Sequence, residues 1–154
     1  MPRVTDINIF EKKEQDTLVI RTRAKVTELS KLVGEAYTKI FSYIAELNEF
    51  PEDAPFITYH NTDMNDLDVE FGVPVNRPLP SRGDVKAGKI KEGKEVSCVF
   101  RGSYSDTEST YGEMAAFAAK NGFKLSGTAR EYYFNGPAEV PESELLTKIA
   151  MPIE

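Results

Sequence analysis

The chain has no tryptophan, one cysteine and one histidine in 154 residues. A lone Cys98 excludes an intrachain disulfide and suits a reducing compartment, so a cytoplasmic location is expected. The clustered nitrogen and sulfur ligands of a zinc-type site are missing, and no metal or other cofactor is expected. Cys98 lies in an alternating apolar pattern and reads as a buried structural thiol rather than a nucleophile. His60, at the end of an apolar run, reads as an exposed strand-end residue. Long apolar runs are also absent: none could span a membrane, and the first residues lack the pattern of a secretory signal. Basic charge is in deficit, with 19 Lys and Arg against 25 Asp and Glu, a net charge of −6. That balance opposes direct nucleic-acid binding, which needs clustered cations. The short basic run Lys86, Lys89, Lys91 and Lys94 is interleaved with Glu92 and Glu95 and reads as a solvated hairpin.

What is present suits one soluble domain over residues 1–154, with 40% hydrophobic and 29% charged residues. Leu18 to Ala24 reads as a strand. A long helix follows, with Thr27 as its expected cap. Leu29, Leu32, Val33, Ala36, Tyr37, Ile40, Phe41, Ile44 and Leu47 recur at helical spacing, and Pro51 and Pro55 end the element. Phe56 to His60 and Leu67 to Val73 read as two strands joined by a polar turn. The same order returns. Glu95 to Gly102 is a strand. Ser105 and Glu108 have capping-box spacing before a helix through Met114, Phe117 and Ala118. Asn121-Gly122 is a helix stop. Lys124 to Asn135 and Glu144 to Ile153 are the last strands. A strand around Ile7 and Ile9, and a hairpin near Val85 to Ile90, extend the sheet.

The two halves end alike. Phe71-Gly72-Val73-Pro74-Val75 matches Ile149-Ala150-Met151-Pro152-Ile153, and Tyr59-His60-Asn61 matches Tyr133-Phe134-Asn135. A duplication is expected, with repeat halves of about 1–80 and 81–154. The predicted fold class is α+β: a duplicated strand-helix-strand-strand unit, a mostly antiparallel sheet, and two helices on one face.

One carboxylate, Glu131, sits inside the aromatic strand Arg130-Glu131-Tyr132-Tyr133-Phe134. Alternation puts Glu131 and Tyr133 on one face, and Tyr132 and Phe134 on the other. The residues alone leave two placements open. Glu131 either faces solvent, near Arg130 or Lys148, or is buried for a purpose.

Glu131 to Pro137, Pro141 to Leu145, Phe100-Arg101-Gly102-Ser103-Tyr104, and Asp68 to Val75 together resemble the GyrI-like small-molecule-binding family. That family includes the effector-binding domains of AraC-type and MerR-type multidrug regulators. The resemblance covers nearly the whole chain, in a stand-alone form. It implies a pseudo-two-fold sheet whose groove takes flat, hydrophobic, often cationic compounds. It places Glu131 at the bottom of that groove, with Tyr133 and Tyr104 as walls. Tyr59, Tyr37 and Val99 are further lining candidates. Some members resemble hydrolases of cyclopropane-bearing natural products, which would give Glu131 and Tyr104 catalytic roles. A third reading is a protein partner bound by the acidic surface. The departures from the family are the missing tryptophan and the lack of a helix-turn-helix.

Overall fold

Strand, strand, helix, strand, strand is the order of elements, and it occurs twice. The computed structural model describes residues 4–154. The first pass holds β1 (Asn8–Lys12), β2 (Gln15–Ala24), α1 (Leu29–Glu46), β3 (Phe56–Tyr59) and β4 (Leu67–Pro74). The second holds β5 (Lys86–Ile90), β6 (Gly93–Arg101), α2 (Glu108–Lys120), β7 (Ala129–Tyr133) and β8 (Leu146–Pro152). The class is α+β and duplicated, as the pattern predicts.

The chain forms two compact units, one of Lys13–Glu92 and one of Gly93–Glu154 together with the residues up to Lys12. Each carries an antiparallel four-stranded ladder. The hydrogen-bonded order is β3-β4-β2-β5 in the first and β1-β6-β8-β7 in the second. The expected hairpin therefore does not form. β5 and β6 are separated by two residues, yet β5 pairs with β2 and β6 pairs with β1. Each repeat lends its first strand to the other unit. Lys89 of β5 meets Glu14 at 3.2 Å and, across the ladder, Asp16 at 3.7 Å.

The registers of the two ladders superimpose. Ile20 and Ile57 both oppose Phe71, as Cys98 and Glu131 both oppose Ile149. Asn61 and Asn135 play equivalent parts. Asn61 accepts from the Asp68 amide at 2.9 Å and donates to the Asp66 carbonyl at 2.9 Å. Asn135 accepts from the Leu146 amide at 2.9 Å and donates to the Glu144 carbonyl at 3.3 Å. Each asparagine side chain thus fixes where the next strand starts, by satisfying backbone groups that the turn would leave unpaired.

Helix α1 buries Ala36, Ile40, Tyr43 and Ile44 and packs on β4 and β2. Helix α2 buries Thr110, Met114 and Ala118, and covers Val96, Cys98, Phe100 and Ile149. Cys98 is buried with its Sγ 3.8 Å from the Met114 Sδ, a packing role as expected. Neither helix is capped as the sequence suggests. A short 3-10 turn, Val26–Glu28, precedes α1, and Glu28 accepts from the Lys25 amide at 3.0 Å; Thr27 is not the cap. A second turn, Tyr104–Asp106, precedes α2, and Ser103 accepts from the Ser105 amide. In both places the extra turn moves the cap upstream. His60 is not exposed either: it is half-buried and bonded to Glu70 at 2.9 Å.

Gly72 is a close approach. A Cβ there would lie 2.2–2.8 Å from three ring atoms of the buried Phe56. The second unit has Ala150 at this place because Arg130, not a phenylalanine, lies opposite. Gly72→Ala is expected to lower stability by about 1–3 kcal/mol through overpacking. Urea unfolding of the variant measures this; an unchanged midpoint would show that Phe56 moves aside freely.

Candidate functional site

Strand β7 is buried on both faces: Arg130 is 4% exposed, Glu131 8% and Tyr132 4%. Residues directly opposite in an antiparallel pair share a face. Glu131 opposes Ile149, and Ile149 opposes Cys98, so Glu131 points into the layer beneath α2. Arg130 and Tyr132 point the other way. There Arg130 pairs with the buried Glu95 and donates from Nε to the Tyr132 hydroxyl at 2.9 Å. Arg130 is therefore committed elsewhere, and the solvent-facing placement of Glu131 is excluded.

Both oxygens of Glu131 accept from phenols. Tyr133, two residues on, donates to Oε1 at 2.9 Å. Tyr111, from α2, donates to Oε2. Among the described residues no cationic side chain pairs with it. Burial pushes the Glu131 carboxyl upward from its ordinary 4.5, and the bonds from Tyr111 and Tyr133 partly oppose that rise.

Tyr104 completes the constellation. Its ring meets Tyr133 edge to face, with centroids 5.5 Å apart and planes at 76°. At 40% exposure it is the most exposed member of the cluster, Tyr111 and Tyr133 being half-buried. Partial burial, and then the Glu131 charge, raise its hydroxyl pKa. Gly102 sets its position. With φ at +135° it adopts a backbone that other residues rarely take, and its amide donates to the Leu145 carbonyl at 2.8 Å. The chain thus leaves β6 and enters the Tyr104 turn.

The sequence candidates divide. Glu131, Tyr133 and Tyr104 come together. Val99 opposes Lys148, as does Tyr132, so it lies on the face away from Glu131. Tyr37 and Tyr59 belong to the other unit. There Tyr37 donates to the Phe56 carbonyl and packs edge-on to Phe71. Tyr111 is the residue that sequence reasoning missed. The repeat held its signal: Ala36, Ile40 and Ile44 align by spacing with Thr110, Met114 and Ala118, which sets Tyr111 in the place of Tyr37. Surface depressions of about 680 and 580 Å³ lie elsewhere, and neither is lined by Glu131 or its tyrosines. Their linings mix surface charges without converging on one group. Among the described residues no group of acidic, His and Cys side chains could hold a metal, and no helix is long and apolar enough to cross a membrane.

The raised carboxyl has a consequence for stability. The folded state holds the Glu131 proton more tightly than the unfolded chain does. Its contribution is complete below about pH 4.5, the unfolded value, and is lost as pH rises through the higher folded value. Glu131→Gln keeps a neutral side chain that can bond both phenols. It is expected to be more stable than the parent at pH 8, by about 1 kcal/mol, and to match it at pH 4. Thermal melts at both pH values test this; a variant less stable at pH 8 would mean that the charge is well solvated.

The solved structures supply close relatives in fold. The EcmrR chain of a cryo-EM EcmrR–DNA complex superposes with a TM-score of 0.82 at 21% identity, over 97% of this chain and 57% of that one. The present chain thus spans little more than half the length of that protein. The crystal structure of the EcmrR C-terminal domain gives 0.75 at 21% identity, over 98% of both chains. A hydrolase from Listeria innocua gives 0.71 at 15% identity, over 100% of this chain and 94% of that one. SAV2435, solved with tetraphenylphosphonium bound, gives 0.67 at 10% identity, over 97% and 94%. At these identities the likeness is one of fold. No match was found among curated protein sequences. The profile of the GyrI-like small molecule binding domain matches residues 5–154. With that match across nearly its whole length, the chain belongs to the GyrI-like small-molecule-binding family.

Proposed function

We propose that this domain captures hydrophobic organic cations through Glu131, with Tyr104, Tyr111 and Tyr133 as its aromatic surround. The observation that carries this reading is a buried carboxylate that, among the described residues, is bonded only to phenols. An ionised carboxylate in such a place lacks a counter-charge. A cation entering beside it supplies one in a low-dielectric setting. The tyrosine faces add cation–π attraction of roughly 0.5–2 kcal/mol each. Flat faces and a single charge demand little exact shape, which suits a site open to many ligands. The tetraphenylphosphonium bound by SAV2435 is a compound of this chemistry.

A second reading is favoured by one observation, the pairing of a raised carboxyl with phenol hydroxyls. In a ring-opening hydrolysis, Glu131 takes a proton from water as the water oxygen bonds to a strained ring carbon. The ring C–C bond breaks, and the Tyr104 hydroxyl returns a proton to the released carbon. Native mass spectrometry separates the two readings. A stable one-to-one complex with tetraphenylphosphonium, and an unchanged cyclopropane-bearing alkylating agent, are the results expected for a binder. Several turnovers of ring-opened product would transfer the assignment to the hydrolase, and no complex with any organic cation would overturn the capture role.

A further inference from the structure

The layer beneath α2 is more polar than its counterpart around Glu131. Where the first repeat has Ile57, Val69 and Ala36, the second has Glu131, Thr147 and Thr110. Three apolar positions have become polar in one repeat only. Glu131 is satisfied by its two phenols. The Oγ1 atoms of Thr110 and Thr147 have no hydrogen-bond partner among the described residues, and both residues are 0% exposed. Thr147 lies directly across from Tyr133, on the Glu131 face. Packing does not call for its hydroxyl, since valine has the same shape and fills the equivalent place in the other unit. A buried hydroxyl left without a partner is destabilising. Two in one helix–sheet layer, Thr147 of them on the face of a buried carboxylate, point to a small polar guest with several bonds to make. An internal water has that chemistry, because it needs two to four polar partners and bridges groups that protein atoms leave unsatisfied.

We propose that Thr147 and Thr110 hold an internal water in the helix–sheet layer of this unit, and that this water eases the ionisation of Glu131. The first half stands on the two hydroxyls alone. The second half rests on the cation-capture reading, since it makes the charged form of the anchor more accessible. Water-oxygen magnetic relaxation dispersion counts long-lived internal waters without any ligand. The expected result is one fewer long-lived water in Thr147→Val than in the parent, together with a lower melting temperature. Thr147→Ser, which keeps the hydroxyl, should retain the water. Equal counts in parent and valine variant, or a valine variant that melts at or above the parent, overturn the proposal. Thr110→Ala installs the residue that the first repeat carries, and gives the same two readouts if Thr147→Val fails to fold. The pH midpoint of tetraphenylphosphonium binding should move upward in Thr147→Val and return in Thr147→Ser. An unmoved midpoint with the water lost removes the link to Glu131. Failure of the parent to bind the probe leaves the water count decisive.

Discussion

Arg130→Ala is expected to destabilise the domain by about 3–5 kcal/mol, the size found when one partner of a buried ion pair is removed. Both side chains of the Arg130–Glu95 pair are nearly inaccessible, at 5% and 7% exposure. Truncation leaves Glu95 charged and unpaired in a low-dielectric place. It also removes the Nε bond to Tyr132 and the guanidinium over the Tyr132 ring, 5.5 Å from its centroid. The loss falls on β7, the strand that aims Glu131. Replacing both members by apolar residues of similar volume, as in Arg130→Met with Glu95→Leu, should recover much of the stability, because no charge is then stranded. Urea unfolding of the two single variants and the double variant measures the coupling. A single-variant loss below about 1 kcal/mol would mean that the pair is solvated, as surface pairs are.

The same strand shows why the site was only half legible in the sequence. Alternation correctly put Glu131 and Tyr133 on one face and Tyr132 on the other. It could not say which face meets the helix, because β7 is buried on both. A half-buried strand marks its wet face with charge; here Arg130 and Glu131 are charged, adjacent and both buried. The duplication, by contrast, was readable from short matched endings. Tyr59-His60-Asn61 and Tyr133-Phe134-Asn135 close their strands in equivalent ways, and the asparagines make the same pair of backbone bonds. The strand exchange was not readable. Two-residue links after Lys12 and Ile90 look like hairpin turns, and only long-range pairing sends β1 and β5 to different partners. The helix caps failed for a local reason, since a 3-10 turn before each helix shifts the first free amides upstream. Tyr111 was hidden because a tyrosine on a helix face usually packs in a core. Its role appears only when the repeat sets it in the place of Tyr37 and the partner position changes from Ile57 to Glu131.

Affinity should follow ligand charge more than ligand shape. A flat cation should bind more tightly than its neutral isostere by about 1.5–3 kcal/mol, the range of a hydrogen bond or contact to a charged group. The cation needs the ionised form of Glu131. Burial raises this carboxyl, so the preference should fade at a higher pH than for an exposed glutamate. Binding the cation should in turn release a proton, because the ligand favours the charged carboxylate. Tyr111→Phe and Tyr133→Phe each remove one hydroxyl that supports that charge. Each should weaken the cation and leave the neutral compound nearly unaffected.

The most direct measurement is calorimetry on one matched pair, N-methylquinolinium and methylnaphthalene, at pH 8 and at pH 4.5, in the parent and in Glu131→Gln. The expected result is a preference for the cation of about tenfold or more at pH 8 in the parent, reduced at pH 4.5 and absent in the variant, with the neutral compound bound alike by both proteins. Equal affinity for the two compounds in the parent at pH 8 would contradict Glu131 as the anchor.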